Sequence, residues 1–355
     1  MKYAGIVLIL LLAACGDDPL GPADLQDPAA LQGELNAVDS AFASEPFASF
    51  GAVSVYLGPT PVAATTPMLL AAPGPLASPA LRAARLRRLA PSLDASLMRG
   101  PIIPDSVYGR VYRWNATTNQ YERSGSETVT GLNGVRFILY RVDDFGTVEE
   151  PVVEVGSADL IDQSVTGSPR LRVLVRGTGG TPTTYVDYLA TVTETATSAT
   201  ITVTGYITNG LPAAAEKTLT FDVGIGANAG GVTFDATFVL NSPDVTIDLR
   251  EGLTFSQTAV VFSVDFRVIR PSEVVRLVGR MTLEDPDLTI DLEVRVNGGI
   301  VASLEGDVET AQWVDAGGEP LGPEDLEALD ALFQAFGEFE GIMAHIIEPL
   351  GQEEV

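Results

Sequence analysis

The residue types that most often carry enzyme chemistry are scarce in this chain. Among its 355 residues, His345 is the only histidine and Cys15 is the only cysteine. A Ser-His-Asp arrangement would have to use His345, yet the sequence contains no Gly-x-Ser-x-Gly elbow to present a nucleophilic serine. Zinc, copper and iron sites need several histidines or thiolates. We therefore predict no such metal centre, and we interpret His345 as a favourable partner for the carboxyl end of a helix.

Two glycine-rich stretches approach the spacing of a phosphate-binding loop. They are Gly224–Gly230 and Gly177–Thr181. A strand pattern follows each stretch, whereas a phosphate-binding loop needs a following helix whose amino terminus holds the anion. We interpret both stretches as loops between strands, and we predict no cofactor.

Acidic pairs are the remaining candidates for acid–base work or for calcium binding. The densest are Asp143-Asp144, Glu149-Glu150 and Asp285-Pro286-Asp287. None has the spacing of a calcium loop, and turn chemistry explains acidic residues beside glycine and proline equally well. Catalytic carboxylate pairs come from residues that are distant in sequence, so a carboxylate-dependent hydrolase stays a less favoured alternative. We predict a protein that is not an enzyme and has no catalytic or metal-binding residues.

Residues 1–14 have the pattern of a secretory signal peptide. A short basic start precedes the apolar run Tyr3–Leu12, which is well short of the roughly 20 residues that a spanning helix needs. The next segment, Leu12-Ala13-Ala14-Cys15-Gly16, resembles the lipobox of bacterial lipoproteins. The resemblance implies that Cys15 becomes the lipidated first residue of a mature chain anchored in the bacterial cell envelope. Because Gly16 rather than aspartate follows the cysteine, it also implies the outer membrane.

The single cysteine agrees with an anchoring role. Cys15 has no second cysteine to pair with, so no disulfide can form within the chain. Each buried methylene of an acyl chain contributes about 0.8 kcal/mol, and one acyl chain alone holds a protein only marginally. The several acyl chains that the resemblance implies would make a lasting membrane anchor.

The charge of the chain restricts its partners. The formal net charge is -26 at pH 7, from 47 acidic and 21 basic residues. Nucleic acid and anionic lipid headgroups are poor partners for such a surface, so we predict that the chain binds no nucleic acid. Charged residues make up only 19% of the chain and apolar residues 46%, which is ample material for a folded core.

Residues 106–310 alternate apolar and polar side chains with the period of a half-buried strand. In one run, Leu288 and Ile290 point one way while Thr289 and Asp291 point the other. Similar runs recur throughout, with turn residues between them. The pattern predicts a mainly β domain: one large antiparallel meander, an open curved sheet or half-barrel, with one apolar and one wet face. A membrane-spanning barrel also alternates, but the wet face is heavily charged and aromatic residues reach only 7%.

Four segments flank this domain. Residues 15–27 suit an acidic tether, and residues 28–45 suit an amphipathic helix that Ser44–Pro46 ends. Residues 46–105 are rich in alanine and proline and predict a loosely ordered connection. Residues 311–355 carry a second amphipathic helix. Both helices are expected to cover the apolar face of the sheet.

The flanking segments also offer possible interaction surfaces. The N-terminal helix could pack on a membrane or a partner, and the C-terminal helix could mediate self-association, since Gly337 and Gly341 permit close approach. The four arginines between Arg82 and Arg88 could lie on a membrane, but they do not separate from the neighbouring leucines into two faces. We expect these arginines to be solvated or paired with acidic residues.

The turn at Arg270-Pro271 gives a sharp test of strand register. Two registers keep the apolar residues on one face: one sets Asp265 opposite Arg276, and the other sets Arg267 opposite Arg276. We predict the first, because like charges directly opposite each other are unfavourable.

The sequence supports two hypotheses about function. In the first, a lipid-anchored, non-enzymatic envelope protein encloses an apolar pocket for a lipid or similar ligand between its sheet and its helices. Its layout is similar to periplasmic lipoprotein carriers and half-barrel lipid-binding lipoproteins, by architecture alone. In the second, it is a structural or adhesive surface module with a solid core. The absence of an interior cavity on the order of 300 Å³ or more would favour the second hypothesis.

Overall fold

A single sheet of 15 strands forms the body of the protein in the computed structural model. The structure describes residues 33–34, 37–38, 40–56, 103–143, 146–256, 258–284, 287–307, 311–322, 325–326 and 329. One α-helix, α1, spans Glu45–Tyr56, and a short 3-10 helix spans Asp105–Val107. The strands are β1 (Arg110–Asn115), β2 (Gln120–Thr128), β3 (Gly134–Tyr140), β4 (Glu154–Asp162), β5 (Arg170–Gly177), β6 (Thr184–Glu194), β7 (Ser198–Thr208), β8 (Thr218–Asn228), β9 (Gly231–Asn241), β10 (Asp244–Phe255), β11 (Val260–Ile269), β12 (Val274–Glu284), β13 (Asp287–Val296), β14 (Gly299–Asp307) and β15 (Gln312–Asp315).

The strands follow one another in the sheet almost in chain order. From β3 to β15, each strand pairs antiparallel with the next. At the other end, β1 lies between β2, its antiparallel partner, and β3, its parallel partner. The two edge strands, β2 and β15, do not pair with each other, so the sheet is open. The predicted antiparallel meander is confirmed.

The two faces of the sheet differ as the alternation predicts. In β9, Phe234, Ala236 and Phe238 are buried, while Asp235 and Thr237 between them are exposed. The same pattern continues through the neighbouring strands, so one apolar face is excluded from water along the sheet. We name this the inward face and the opposite, polar one the outer face. Burying apolar area at about 25 cal/mol per Å² makes the inward face the main source of stability.

Helix α1 corrects the predicted boundary of the N-terminal helix. Ser44–Pro46 begins a helix as well as ending one. The side-chain oxygen of Ser44 accepts a hydrogen bond from the N–H of Phe47 and so caps the amino terminus of α1. A proline in the first turn removes no intrahelical hydrogen bond. The prediction of a loosely ordered connection over residues 46–105 was therefore wrong for residues 46–56. Its residues 57–102 lie outside the described part.

Helix α1 packs on the inward face at the β3 end of the sheet. Phe47, Phe50 and Val53 are buried in the same apolar core as the inward side chains of β3 to β6. A polar contact fixes the position: the N–H of Tyr140 donates to Ser49 Oγ at 3.0 Å. A bulge interrupts the β3–β4 ladder at Tyr140, so Ser49 provides an acceptor at the point where the pairing is irregular.

The predicted covering helices are described only in fragments. Residues 33–34, 37–38 and 40–42 are helical, and Val38 lies fully buried in the core formed by the inward face. Leu329 belongs to the same core. The tether at 15–27, part of residues 28–45 and most of residues 311–355 lie outside the described ranges, so the covering role of these helices stays a prediction.

The predicted register at Arg270-Pro271 was wrong. Arg267, not Asp265, lies directly opposite Arg276. Arg267 and Arg276 can face each other because Asp265 binds both guanidinium groups, that of Arg267 along its own strand and that of Arg276 diagonally across to β12. The rule that like charges directly opposite each other are unfavourable considers only the two facing residues. It leaves out the carboxylate of Asp265, which neutralises both arginines from the next position on the same face.

Candidate functional site

The outer face carries an arginine–aspartate–arginine cluster on three neighbouring strands, which we name the first triad. Arg136 on β3 lies directly opposite Asp159 on β4, and Arg176 on β5 reaches the same carboxylate. Asp159 accepts hydrogen bonds from Arg136 Nε and Nη2 at 2.6 and 2.7 Å and from Arg176 Nη1 at 3.3 Å. Although it faces outward, Asp159 is only 3% exposed. The polar surface at this point is therefore presented mainly by guanidinium groups.

A second triad with the same chemistry lies on β11 and β12. Asp265 accepts hydrogen bonds from Arg267 at 3.0 and 2.7 Å and from Arg276 at 2.7 and 2.9 Å. Burial alone would raise the pKa of the Asp265 carboxyl, but the hydrogen bonds from Arg276 and Arg267 outweigh burial and hold that pKa below its usual value. Asp265 is therefore an anion across the physiological pH range.

The charged residues around the first triad are largely ion-paired with one another. Arg172 donates to Asp187 at 2.8 and 2.6 Å, and Arg170 is exposed on the same strand. Glu154, at the start of β4, lies 3.4 Å from Arg113 of β1. Arg172 and Asp187 form a neutral pair beside the triad, which itself carries a surplus of one positive charge.

The charges around the second triad are balanced. Asp248 lies directly opposite Arg267, and Arg250 lies opposite Asp265. On the far side, Arg295 is directly opposite Arg276 and is ion-paired with Glu293 at 2.6 Å. On β9, Asp235 lies 3.6 Å from Arg250. Two arginines and three acidic residues surround this triad and cancel its surplus positive charge. Two clusters with one internal chemistry therefore have different electrostatic surroundings.

An acidic hollow lies on the outer face at the ends of β12 to β14. It has a volume of about 500 Å³. Carboxylates outnumber arginine around it, and the residues that line it include Arg280, Thr282, Glu284, Asp287, Asp291 and Glu305. Within the described ranges, no three histidine, cysteine, aspartate or glutamate residues are arranged to hold a metal ion. The hollow offers hydrogen-bond acceptors in a shallow acidic environment.

A buried ion pair lies at the turn between β11 and β12. The Arg270 side chain is ion-paired with Glu273, and these side chains are 2% and 0% exposed. Arg270 Nη1 also lies 3.3 Å from Glu34 Oε2. The contact with Glu34 adds a third charge to this pair and joins residue 34 to the β11–β12 hairpin.

The prediction of a loop holds for Gly177–Thr181 but was wrong for most of Gly224–Gly230, because residues 224–228 belong to β8 and only Ala229 and Gly230 form the turn. Gly224–Gly230 covers the end of β8 and the turn into β9, where Asn228 pairs with Gly231. Gly177–Thr181 connects β5 to β6. Neither stretch is followed by a helix, so neither forms a phosphate-binding loop.

The predicted acidic clusters are dispersed. Asp143 lies in the connection between β3 and β4, where its carboxylate accepts the N–H of Thr147 at 2.9 Å, in agreement with the interpretation as turn chemistry. Glu149-Glu150 lies in the same connection. Asp287 begins β13 and lines the acidic hollow, whereas Asp144 and Asp285 lie outside the described residues. The predicted lipidation site Cys15 and the lone His345 also lie outside them.

Sequence reasoning missed the first triad. The available signal was the alternation of arginine with apolar residues in β5, where Arg170, Arg172 and Arg176 all face outward. The acidic partners stand on the two neighbouring strands, and the register of those strands depends on bulges in the β3–β4 and β5–β6 ladders. Composition and alternation do not predict those bulges.

Comparison with known proteins gives no relative. No protein-family model, curated protein or solved structure matches this chain. In the part of the chain that the structure describes, no helix is both long and apolar enough to cross a lipid bilayer.

Proposed function

We propose that this chain is a non-enzymatic lipoprotein of a bacterial cell envelope. Acyl chains on Cys15 hold it on the membrane, with the outer membrane as the expected location. The leader at residues 1–14 and the lipobox-like segment that ends at Cys15 support this assignment. Residues 15–27 then serve as an acidic tether between the anchor and the β domain.

We propose that the inward face of the sheet contacts an apolar ligand between the strands and the covering helices. The observation that carries this proposal is one continuous apolar surface, contributed by strand after strand, with helix α1 packed across one end. Lipids or similar molecules are recognised by apolar area of this kind. The helices expected within residues 28–45 and 311–355 complete the cover, and the C-terminal helix is the surface that would mediate self-association.

A specific observation favours the second candidate, a structural or adhesive surface module. Large inward side chains, among them Tyr188, Phe238 and Phe266, are less than 2% exposed. Side chains packed this closely leave no water-accessible space beside them. A ligand at these positions would have to displace covering elements, whereas a module with a solid core needs no such movement.

The anchor is tested by replacing the acylated cysteine. The protein is expressed in a bacterium that is fed a fatty acid with a click-chemistry handle, and label and membrane association are measured for the wild type and for Cys15→Ser. Wild type is expected to carry label and to sediment with membranes, and the variant to lose both. A Ser126→Cys change in the Cys15→Ser background places a thiol at an exposed position, controls for nonspecific thiol acylation and should stay unlabelled. An unlabelled wild-type chain would refute the anchor.

The ligand is tested by native mass spectrometry of protein extracted from the envelope without denaturation. The ligand-binding protein should retain bound lipid that departs at higher collision energy. The same extraction of Phe238→Trp, which adds volume to the inward face, should reduce the bound fraction. Wild-type protein that is detected without bound lipid even at low collision energy would favour the structural or adhesive module with a solid core.

A further inference from the structure

We propose that the first triad, Arg136, Asp159 and Arg176, is the base of a binding site for a phosphate group on the outer face of the sheet. This site is separate from the membrane anchor and from the inward face, and it does not depend on either. Three features of the triad carry the inference: unused donors, fixed arginines and a local surplus of positive charge.

The first feature is the set of guanidinium N–H groups that the ion pairs leave available. Asp159 uses Nε and Nη2 of Arg136 and Nη1 of Arg176. Arg136 Nη1 and Arg176 Nε and Nη2 take no part in these contacts. Since Arg136 Nη2 and Arg176 Nη1 both reach Asp159 Oδ2, the two guanidinium groups lie side by side. Adjacent guanidinium groups can donate to different oxygens of a single phosphate.

The second feature is the rigidity that the buried aspartate gives to the arginines. An arginine side chain loses rotamer freedom when it binds a ligand, and this loss weakens binding. Arg136 is already held by Asp159 through two short hydrogen bonds, and Arg176 is held by a third. Their side chains remain 27% and 35% exposed, so a ligand can reach them. Part of the rotamer entropy that the two arginine side chains would lose on binding a ligand is therefore already lost when the protein folds.

The third feature is the local charge. The chain as a whole is strongly acidic, at -26, and repels anions at long range. At an ionic strength of about 0.15 M, however, charges separated by more than about 8 Å are largely screened from one another. At short range, the Arg172–Asp187 ion pair is neutral and Arg170 lies six residues from Arg176 along β5, so the triad keeps the single surplus positive charge of its two arginines and one aspartate. Hydrogen bonds to Asp159 and Asp187 raise the guanidinium pKa of Arg136 and Arg172 respectively, so both stay charged.

The second triad provides a matched control within the same molecule. Arg276 has the role of Arg176: each binds an aspartate on a neighbouring strand, and their side chains are 34% and 35% exposed. The second triad is surrounded by Asp235, Asp248 and Glu293, which oppose the approach of an anion. We therefore assign phosphate binding to the first triad alone.

The experiment titrates purified protein with inorganic pyrophosphate and follows binding by isothermal calorimetry. The Cys15→Ser chain is used so that no acyl anchor is present. Arg176→Gln is expected to weaken binding at least tenfold, since a hydrogen bond between charged groups contributes about 1.5–3 kcal/mol. Arg276→Gln is expected to leave the affinity within about twofold of the parent. Pyrophosphate binding that is absent from the parent, or weakened equally by both substitutions, would overturn the proposal.

Two further measurements identify the source of the phosphate and guard against misfolding. The protein is also sedimented with phosphatidylglycerol vesicles and with phosphatidylcholine vesicles. Binding to the first but not to the second, and its loss in Arg176→Gln, would assign the site to an anionic lipid headgroup. Pyrophosphate binding without vesicle binding would assign it to a soluble phosphate. Arg136→Lys keeps the charge but removes the planar fork, so it should weaken binding, which is measured below the melting temperatures of both variant and parent so that unfolding does not contribute. Unchanged binding in Arg136→Lys would contradict the role given to the guanidinium group.

Discussion

Asp265 shows how a single carboxylate permits a strand register that pairs like charges. Arg267, Arg276 and Arg295 lie directly opposite one another on three adjacent strands. Such a row is unfavourable unless acids stand within reach. Asp265 binds the first two arginines, and Glu293 binds the third. At the scale of the residue, the outer face is therefore stabilised by contacts along and diagonally between strands.

We predict that Asp265→Asn lowers the free energy of unfolding at pH 7 by about 1–3 kcal/mol, because two guanidinium groups lose their shared charged acceptor. The folded-state pKa of Asp265 lies below its unfolded value, so its contribution is fully present above the unfolded value of about 3.9 and is lost as pH falls through the folded pKa. Urea denaturation at pH 7 and in acid should show the difference between wild type and variant shrinking below about pH 4.

The control for this prediction is Asp235→Asn. The Asp235 side chain is 63% exposed and lies 3.6 Å from Arg250, so this substitution should cost less than about 0.5 kcal/mol at pH 7. A difference between wild type and Asp265→Asn that is as large in acid as at pH 7 would show that the lost contribution is not the carboxylate charge.

At the scale of the element, Ser49 joins helix α1 to an irregular point of the sheet. The bulge at Tyr140 interrupts the β3–β4 pairing, and Ser49 Oγ accepts the Tyr140 N–H within a buried interface. A buried N–H without an acceptor costs more than the hydrogen bond itself contributes. The helix is therefore placed by one hydroxyl as well as by its apolar side chains.

We predict that Ser49→Ala destabilises the fold by about 1–3 kcal/mol through the stranded N–H of Tyr140. Amide hydrogen exchange at Tyr140 should accelerate to the same extent as the loss of stability. Ser40→Ala is the matched control, because Ser40 Oγ donates only to the carbonyl of Ala37 one turn earlier. A stability change in Ser49→Ala no greater than that in Ser40→Ala would contradict the positioning role.

The elements differ in how well the sequence predicts them. Strands such as β9 and β13 follow from alternation alone, because a two-residue period leaves one interpretation for a half-buried segment. Helix α1 was missed because serine followed by proline can end one helix or begin another. The register at Arg267 was missed because the deciding contact is diagonal. The first triad was missed because its register depends on bulges that no local pattern marks.

At the scale of the whole molecule, an open sheet has edges that must not pair with other chains. The edge strand β2 is mostly exposed, and Arg110 pairs with Thr128 while Tyr112 pairs with Arg123, so the intervening β2 segment bulges away from β1. Charged residues, Glu122 and Arg123, also stand on this strand. Bulges and charges at an edge both oppose the addition of a further strand.

We predict that Arg123→Val combined with Ser126→Val causes self-association that rises with protein concentration, because the edge then gains apolar, β-favouring side chains. Size-exclusion chromatography at increasing concentration measures the effect. Thr200→Val combined with Thr202→Val places two valines on β7, which is paired on both sides, and should remain unchanged in elution. Equal association of both double variants would indicate nonspecific association of apolar surface side chains rather than pairing of edge strands.

The order of the strands also has a consequence for how the chain acquires its structure. Nearly every ladder joins sequence neighbours, so hairpins can form one after another as the polypeptide emerges, with little loop-closure entropy to overcome at each step. The contact between Glu34 and Arg270 is different, since it joins residues 236 positions apart. It cannot form until β11 and its turn exist. Helix α1 can pack on β3 to β6 early, whereas Glu34 can reach its partner only after most of the domain has formed.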